Sequence, residues 1–279
     1  MELLLDAYHI TGLTHDVTQD YSIAEDNYLI VSDGCSGIPR SEIGAMLLCV
    51  AARNAIKHCK PEILKDYHTF GNYVIKNAHA ATKSLNLPTA CLSATLLVSF
   101  ILDGKVYTHI YGDGFYFKKD RIGIIRCYEI SFPSKEAFKS FPYYLVHTLS
   151  GETGQVFDTE GKQKVRTYTG IGSDDDLITK GTEQSFPYNH PVTEIVELDK
   201  HQSPVMLGIA TDGVGTFRDQ IIRGNEYIHP AKIIRNLVDY KFKNDPFVLT
   251  RMQACMKRYK RNSIGNDDDV GMGVFLWTE

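Results

Sequence analysis

Apolar positions along this chain follow two periods, and the points where one gives way to the other divide it into elements. The first forty residues favour strands. Leu3 to Leu5 are consecutive apolar residues, a polar stretch covers Thr11 to Asp20, and Tyr28-Leu29-Ile30-Val31-Ser32 is a β-prone run. Ser41 reads as an N-cap, with Glu42 in the first turn, and Ile43, Met46, Leu47, Val50, Ala51 and Ile56 then recur at helical spacing through Lys57. Pro61 punctuates, and Ile63 to Leu85 predicts a second amphipathic helix with Phe70, Val74, Ile75 and Ala78 on its apolar side. The connection is short enough to make the two helices antiparallel neighbours.

From Ser93 the period becomes that of strands. Leu96–Leu102, Lys105–Tyr111 and Phe115–Lys118 are joined by Asp103-Gly104 and Gly112-Asp113-Gly114, with Ile122–Arg126 as a further piece, which reads as an antiparallel meander. Ser131 to about Lys200 is rich in Gly, Ser, Thr and Asp, with strand-like pieces at Lys164–Thr169 and Glu194–Leu198. Val205–Thr211 is another apolar strand, helical segments follow near Pro230–Phe242 and Pro246–Arg261, and Val270 to Trp277 forms a terminal strand. This order predicts an α+β chain with a central β core flanked by helices, not an alternating doubly wound sheet. No linker or repeat interrupts it, so residues 1–279 are expected to form a single domain.

Composition narrows the function. A formal net charge of -4 gives no reason to expect nucleic acid or an acidic membrane as partner. The start carries no basic n-region, and no apolar run reaches membrane-spanning length. The six cysteines are scattered, without C-x-x-C spacing. A soluble, cytoplasmic protein of a reducing compartment is expected.

The chemistry sits on acids at strand ends. Asp33-Gly34 closes the Tyr28 run, yet no returning strand follows, unlike Asp103-Gly104, which has a strand on each side and reads as a hairpin turn. Asp212-Gly213 repeats the strand-Asp-Gly pattern without a hairpin, and Asp20 and Asp268 border strands as well. Acids converging at ~5 Å would repel by about 3 kcal/mol per pair at an effective dielectric near 20, so such a cluster needs protons or cations. Oxygen ligands without cysteine or paired histidine favour magnesium or manganese. Glycine after the Asp lets a backbone carbonyl approach the ion. Asp174-Asp175-Asp176 is read as a polar loop and not as another metal site.

The segments S-D-G-C-S-G, S-A-T-L-L-V-S-F, I-Y-G-D-G, I-A-T-D-G-V and N-D-D-D-V-G-M-G-V-F occur in the order of motifs of the metal-dependent PP2C-type protein phosphatases, and T-H-D-V-T-Q-D-Y resembles that family's early acidic motif. The resemblance runs over nearly the whole chain and looks closest to compact bacterial members. It implies an αββα sandwich: two antiparallel β-sheets flanked by antiparallel helix pairs. It also implies two Mn²⁺ or Mg²⁺ ions, with Asp33 bridging both, the Gly34 carbonyl on one, Asp212 and Asp268 on the other, and Asp20 in an outer position through water. Asp267 rivals Asp268, because the acidic triplet leaves the register open by one residue. Asp113 matches the Asp of the family's G-D-S motif.

The implied activity is hydrolysis of phosphoserine or phosphothreonine in proteins by a water bridging the two ions, with a phosphoprotein substrate and a cognate kinase or its targets as partners. Three departures stand against it. Cys35 occupies the place of a histidine proposed as general acid, Gln19 replaces the first acid of the early pair, and the arginine that grips phosphate has no counterpart, although His15 lies near its place. The alternative is a PP2C-like regulatory binding module without turnover. A basic run, Lys257, Arg258, Lys260 and Arg261, precedes the last acidic segment; it reads as a solvated helix end, with attraction of phosphate as the functional alternative.

Overall fold

A computed structural model describes residues 2–133, 142–149, 162–170, 178–199, 204–220, 226–240 and 246–278. The Asp174–Asp176 triplet lies outside the described residues. One sheet has seven strands: β1 (Glu2–Ile10), β14 (Val270–Thr278), β11 (Met206–Ala210), β6 (Gly114–Lys119), β7 (Ile125–Ser131), β8 (Lys162–Gly170) and β9 (Ile178–Pro187), in that spatial order. The other has five: β10 (Val192–Glu197), β5 (Lys105–Tyr111), β4 (Leu96–Leu102), β3 (Tyr28–Asp33) and β2 (Asp20–Glu25). All pairings within both sheets are antiparallel. A short ribbon pairs β12 (Phe217–Asp219) with β13 (Ile264–Asn266).

The period-two alternation explains the layering. On β3, Tyr28 and Ile30 enter the core shared with α1 (Ser41–His58), α2 (Pro61–Lys65) and α3 (Tyr67–Ser84), whereas Leu29 and Val31 face the other sheet. On β14, Val270, Met272, Val274 and Leu276 pack under α4 (Pro230–Leu237) and α5 (Phe247–Arg261), whereas Phe275 and Trp277 point inward against Leu29 and Val31's core. Three apolar cores thus separate four layers, and the expected αββα sandwich is the observed one. Among the described residues no helix is long and apolar enough to cross a membrane.

Several local expectations are corrected. The helix expected over Ile63–Leu85 is broken at Asp66, whose carboxylate leaves α2 behind and caps α3 by accepting from Thr69 N at 2.8 Å. Ser41 is the first residue of α1; the cap is Arg40, held in the left-handed region at φ 66° without a side-chain cap bond. The strand expected from Ile122 begins at Ile125, and α4 stops at Leu237. Asp103-Gly104 is the expected hairpin turn, with both residues at positive φ, 50° and 71°. Gly112-Asp113-Gly114 is not a hairpin of one meander. It carries the chain from β5 in one sheet to β6 in the other, a corner made possible by φ of 98° and 136° at its two glycines.

Candidate metal centre

The inward face of the sandwich changes from apolar to acidic at one edge. Counting by two from Leu29 and Val31 puts Asp33 on that inward face, and Asp20 lies directly opposite it in the β2–β3 register. From the facing sheet, Leu207 and Ile209 are followed by inward Thr211, whose hydroxyl donates to Asp20 Oδ2 at 2.8 Å and accepts from Gly271 N at 2.8 Å. Asp212 opens a short 3-10 turn, Asp212–Thr216, and Asp113 sits at the corner between the sheets. Asp268 is fixed from behind: its N–H donates to Thr216 Oγ1 at 3.1 Å, and its Oδ1 accepts from Asp269 N at 2.8 Å.

Electrostatics ties these acids together. Burial, then the charges of Asp20, Asp212, Asp268 and Asp113, pushes the Asp33 carboxyl well above its usual range. Burial also raises Asp20, partly offset by the Thr211 hydroxyl and reinforced by Asp269 and Asp212. Asp212 is pushed up to about 6, first by burial and then by Asp268. Asp113 and Asp268 move the same way, again with burial first. The site is a negative cluster that resists holding all its charges.

The donors suit a hard cation. They are carboxylate oxygens, and two of them, Asp20 Oδ1 and Asp212 Oδ1, are buried without any hydrogen-bond partner. As a group the four predicted acids Asp20, Asp33, Asp212 and Asp268 do not close to the 4.8 Å that brings together His15, Asp268 and Asp269. We read that tighter trio as a brace. Asp269 is buried and already accepts from Gly12 N at 2.6 Å and from Gln19 N, with His15 Nδ1 3.1 Å away. It ties the 12–19 loop to the acidic edge.

The triplet therefore separates into three roles. Asp267 turns outward to Arg218 at 2.7 Å, Asp268 joins the cluster around Asp33, and Asp269 is the brace. Gly34 carries a packing constraint: a Cβ there would lie 2.7 Å from the backbone of Ser41, so glycine lets α1 begin against the acidic edge. At Gly213 a Cβ would lie 1.7 Å from Asp269 O. Cys35 is half-buried, with its N–H on Ser93 O at 3.0 Å.

Two participants escape sequence reasoning. Asp269 is hidden in the triplet, although the alternation counted back from Phe275 places it inward. Tyr144 has no local signal. It is buried, and burial followed by the charges of Asp113, Cys35, Asp33 and Asp212 pushes its hydroxyl pKa up.

Comparison with known proteins agrees with this fold. A family profile described as protein phosphatase 2C matches residues 13–240. No curated protein matches the chain in sequence. Among solved structures, it is similar to the serine/threonine phosphatase PstP/Ppp of Mycobacterium tuberculosis, with TM-score 0.54, 15% identity and coverage of 99% of each chain. It is also similar to the phosphatase Stp1 of Staphylococcus aureus, with TM-score 0.54, 14% identity, and coverage of 100% of this chain and 96% of that one. A third is the catalytic domain of PstP in complex with 2 manganese ions, with TM-score 0.52, 16% identity, and coverage of 98% and 97%.

Proposed function

Because the chain belongs to the protein phosphatase 2C family, we propose that it hydrolyses phosphoserine or phosphothreonine in proteins with the help of two divalent ions. The observation that carries this reading is the meeting of inward acids from both sheets around Asp33, with Asp20 Oδ1 and Asp212 Oδ1 buried and unpartnered. Asp33, Asp212 and Asp268, with the Gly34 carbonyl, would hold Mn²⁺ or Mg²⁺, and Asp20 would stand behind them. When bound, the ions supply activation of water and neutralise charge on the phosphoryl oxygens. The chain's own residues do the positioning. Thr211 holds Asp20, Thr216 and the Asp269 N–H hold Asp268, and the Gly34 amide is held by Gln19 O at 3.2 Å.

As part of the same reading, residues 1–279 act as one phosphatase domain in the cytoplasm, in keeping with six free cysteines. The partners are phosphorylated proteins and the kinase that modifies them. Cys35, Gln19 and His15 favour a second reading, a binding module that keeps the fold without turnover. Assays with p-nitrophenyl phosphate and a phosphothreonine peptide separate the two. Hydrolysis is expected to need added Mn²⁺ or Mg²⁺, to stop with EDTA, and to resist serine- and thiol-directed reagents. Activity surviving full chelation overturns the metal mechanism, and folded protein that binds Mn²⁺ without hydrolysing either substrate supports the binding module.

A further inference from the structure

We propose that the β12–β13 ribbon and the last turn of α5 form a docking surface for an extended acidic segment of the substrate, lying to one side of its phosphorylated residue. This rests on the phosphatase reading above. The ribbon leads away from the acidic edge: Asp268 and Asp267 come first, then Asn266 to Ile264 as β13, then Ser263, whose carbonyl accepts from Gln220 N at 2.9 Å. One face of it is made by Arg218, opposite Gly265, by Tyr227, opposite Arg218, and by Gln220 two residues on. A Cβ on Gly265 would meet Leu13 Cδ1 at 2.5 Å and Gln220 Nε2 at 2.6 Å, so Leu13 lies over the same face. Leu13 is 65% exposed and Tyr227 62% exposed, two large apolar side chains presented beside the candidate centre.

At the far end of the ribbon the charge reverses. Helix α5 contains Arg251, Lys257, Arg258, Lys260 and Arg261 and no acid, in a chain of net charge -4. The last four are exposed and form no ion pair among the described residues, although Arg258 lies over the Tyr259 ring at 5.3 Å. Some surface lysines elsewhere face an acid, as Lys57 does Glu25, Lys105 Glu197 and Lys118 Glu194. The helix dipole favours cations at this end, but it does not account for the missing acids. From Asp268 to Ser263 the extended chain spans roughly 15–20 Å at about 3.3 Å per residue. A phosphopeptide with its phosphate at Asp33 and Asp268 would therefore bring acidic residues about five positions away to Lys260 and Arg261. An apolar side chain between them would fall near Leu13 and Tyr227.

The test uses the full chain, Mn²⁺, and fluorescent peptides in which a non-hydrolysable phosphonate replaces phosphothreonine, and which differ only in carrying Glu or Gln about five positions from it. Affinity is read by anisotropy. Wild type should bind the Glu peptide about tenfold more tightly at low salt, and about 0.5 M salt should remove the advantage, since exposed charges are screened at that ionic strength. The triple variant Lys257→Glu, Lys260→Glu, Arg261→Glu should lose or invert the preference, and Leu13→Ser should weaken peptides with an apolar residue midway. Equal affinity of wild type for both peptides overturns the proposal, as does a preference retained by the triple variant with unchanged melting. Hydrolysis of p-nitrophenyl phosphate is scored separately. A peptide preference without it counts against the phosphatase reading and not the docking surface.

Discussion

Replacing Asp212 by Asn should make the metal-free protein more stable and the Mn²⁺-loaded protein relatively less so. In the folded chain the Asp212 carboxyl is pushed from 3.8 to about 6 by burial and by Asp268. A raised folded pKa means that stability is fully present below the unfolded value and is lost as pH rises through about 6. By about pH 7.5 the accumulated loss is roughly 3 kcal/mol, since each pKa unit is worth about 1.4 kcal/mol. Asp212 Oδ1 has no hydrogen-bond partner, so the amide forfeits no bond there. With EDTA, Asp212→Asn should therefore melt up to roughly 5–10 °C above wild type, with the gain shrinking below about pH 6. Mn²⁺ at about a hundred times its Kd adds ~2.7 kcal/mol to wild type alone, enough to cancel or reverse the order. Asp33→Asn should behave likewise, and Asp103→Asn, in the hairpin turn, should do neither. The assay is thermal unfolding with EDTA and with Mn²⁺, alongside turnover, which both cluster variants should nearly abolish. If Mn²⁺ raises their melting as much as that of wild type, these acids are not ligands.

Cys35→Ser should keep turnover within about tenfold, ~1.4 kcal/mol of barrier, because Cys35 packs against the helix-side apolar core with its backbone N–H on Ser93 O; steady-state kinetics on p-nitrophenyl phosphate checks this, and a loss of several orders of magnitude would reveal a thiol role. His109 is buried among Phe70, Phe100 and Tyr111, with its ring nitrogens on Leu64 O at 2.9 Å and Thr193 Oγ1 at 3.0 Å, and burial lowers its pKa despite the Leu64 carbonyl. Its contribution is present above the unfolded value of about 6.5 and is lost as pH falls, so the melting difference between wild type and His109→Gln should narrow from about pH 7.5 to about pH 5.

Legibility followed burial. Strands packed on both faces, such as β3, β4 and β14, carry near-continuous apolar runs and are plain in the sequence. At the far edge of the seven-stranded sheet, β9 presents exposed residues from Gly181 to Ser185, buries little, and carries no pattern to find. The three-residue ribbon strands β12 and β13 are too short for periodicity to act. Asp33 and Asp212 were legible because a β-prone run ended on Asp-Gly without a returning strand. The corner at Asp113 was not, since Gly-Asp-Gly between two strands is equally the signature of a hairpin; only the crossing from one sheet to the other distinguishes them.

The departures from the family pattern fall unevenly on this geometry. Gln19 acts through its backbone, giving its N–H to Asp269 and its carbonyl to Gly34 N, so loss of an acidic side chain there leaves the scaffold of the acidic edge in place. His15 Nδ1 lies 3.1 Å from Asp269 without a hydrogen bond to it, and the amides of Gly12 and Gln19 on the same carboxylate are what fix the 12–19 loop. Cys35 alters a side chain next to the cluster and none within it. Measured against the family pattern, the sequence departs at positions expected to meet phosphate and leaving group, and it keeps the mutually repelling acids that call for cations. Metal dependence and rate are then separable properties of this protein. Tight Mn²⁺ binding is expected from Asp33, Asp212 and Asp268 alone, whereas on the proposed phosphatase reading the speed of turnover would depend on what the substrate itself brings to the site, which is where an extended docking surface along β13 would matter most.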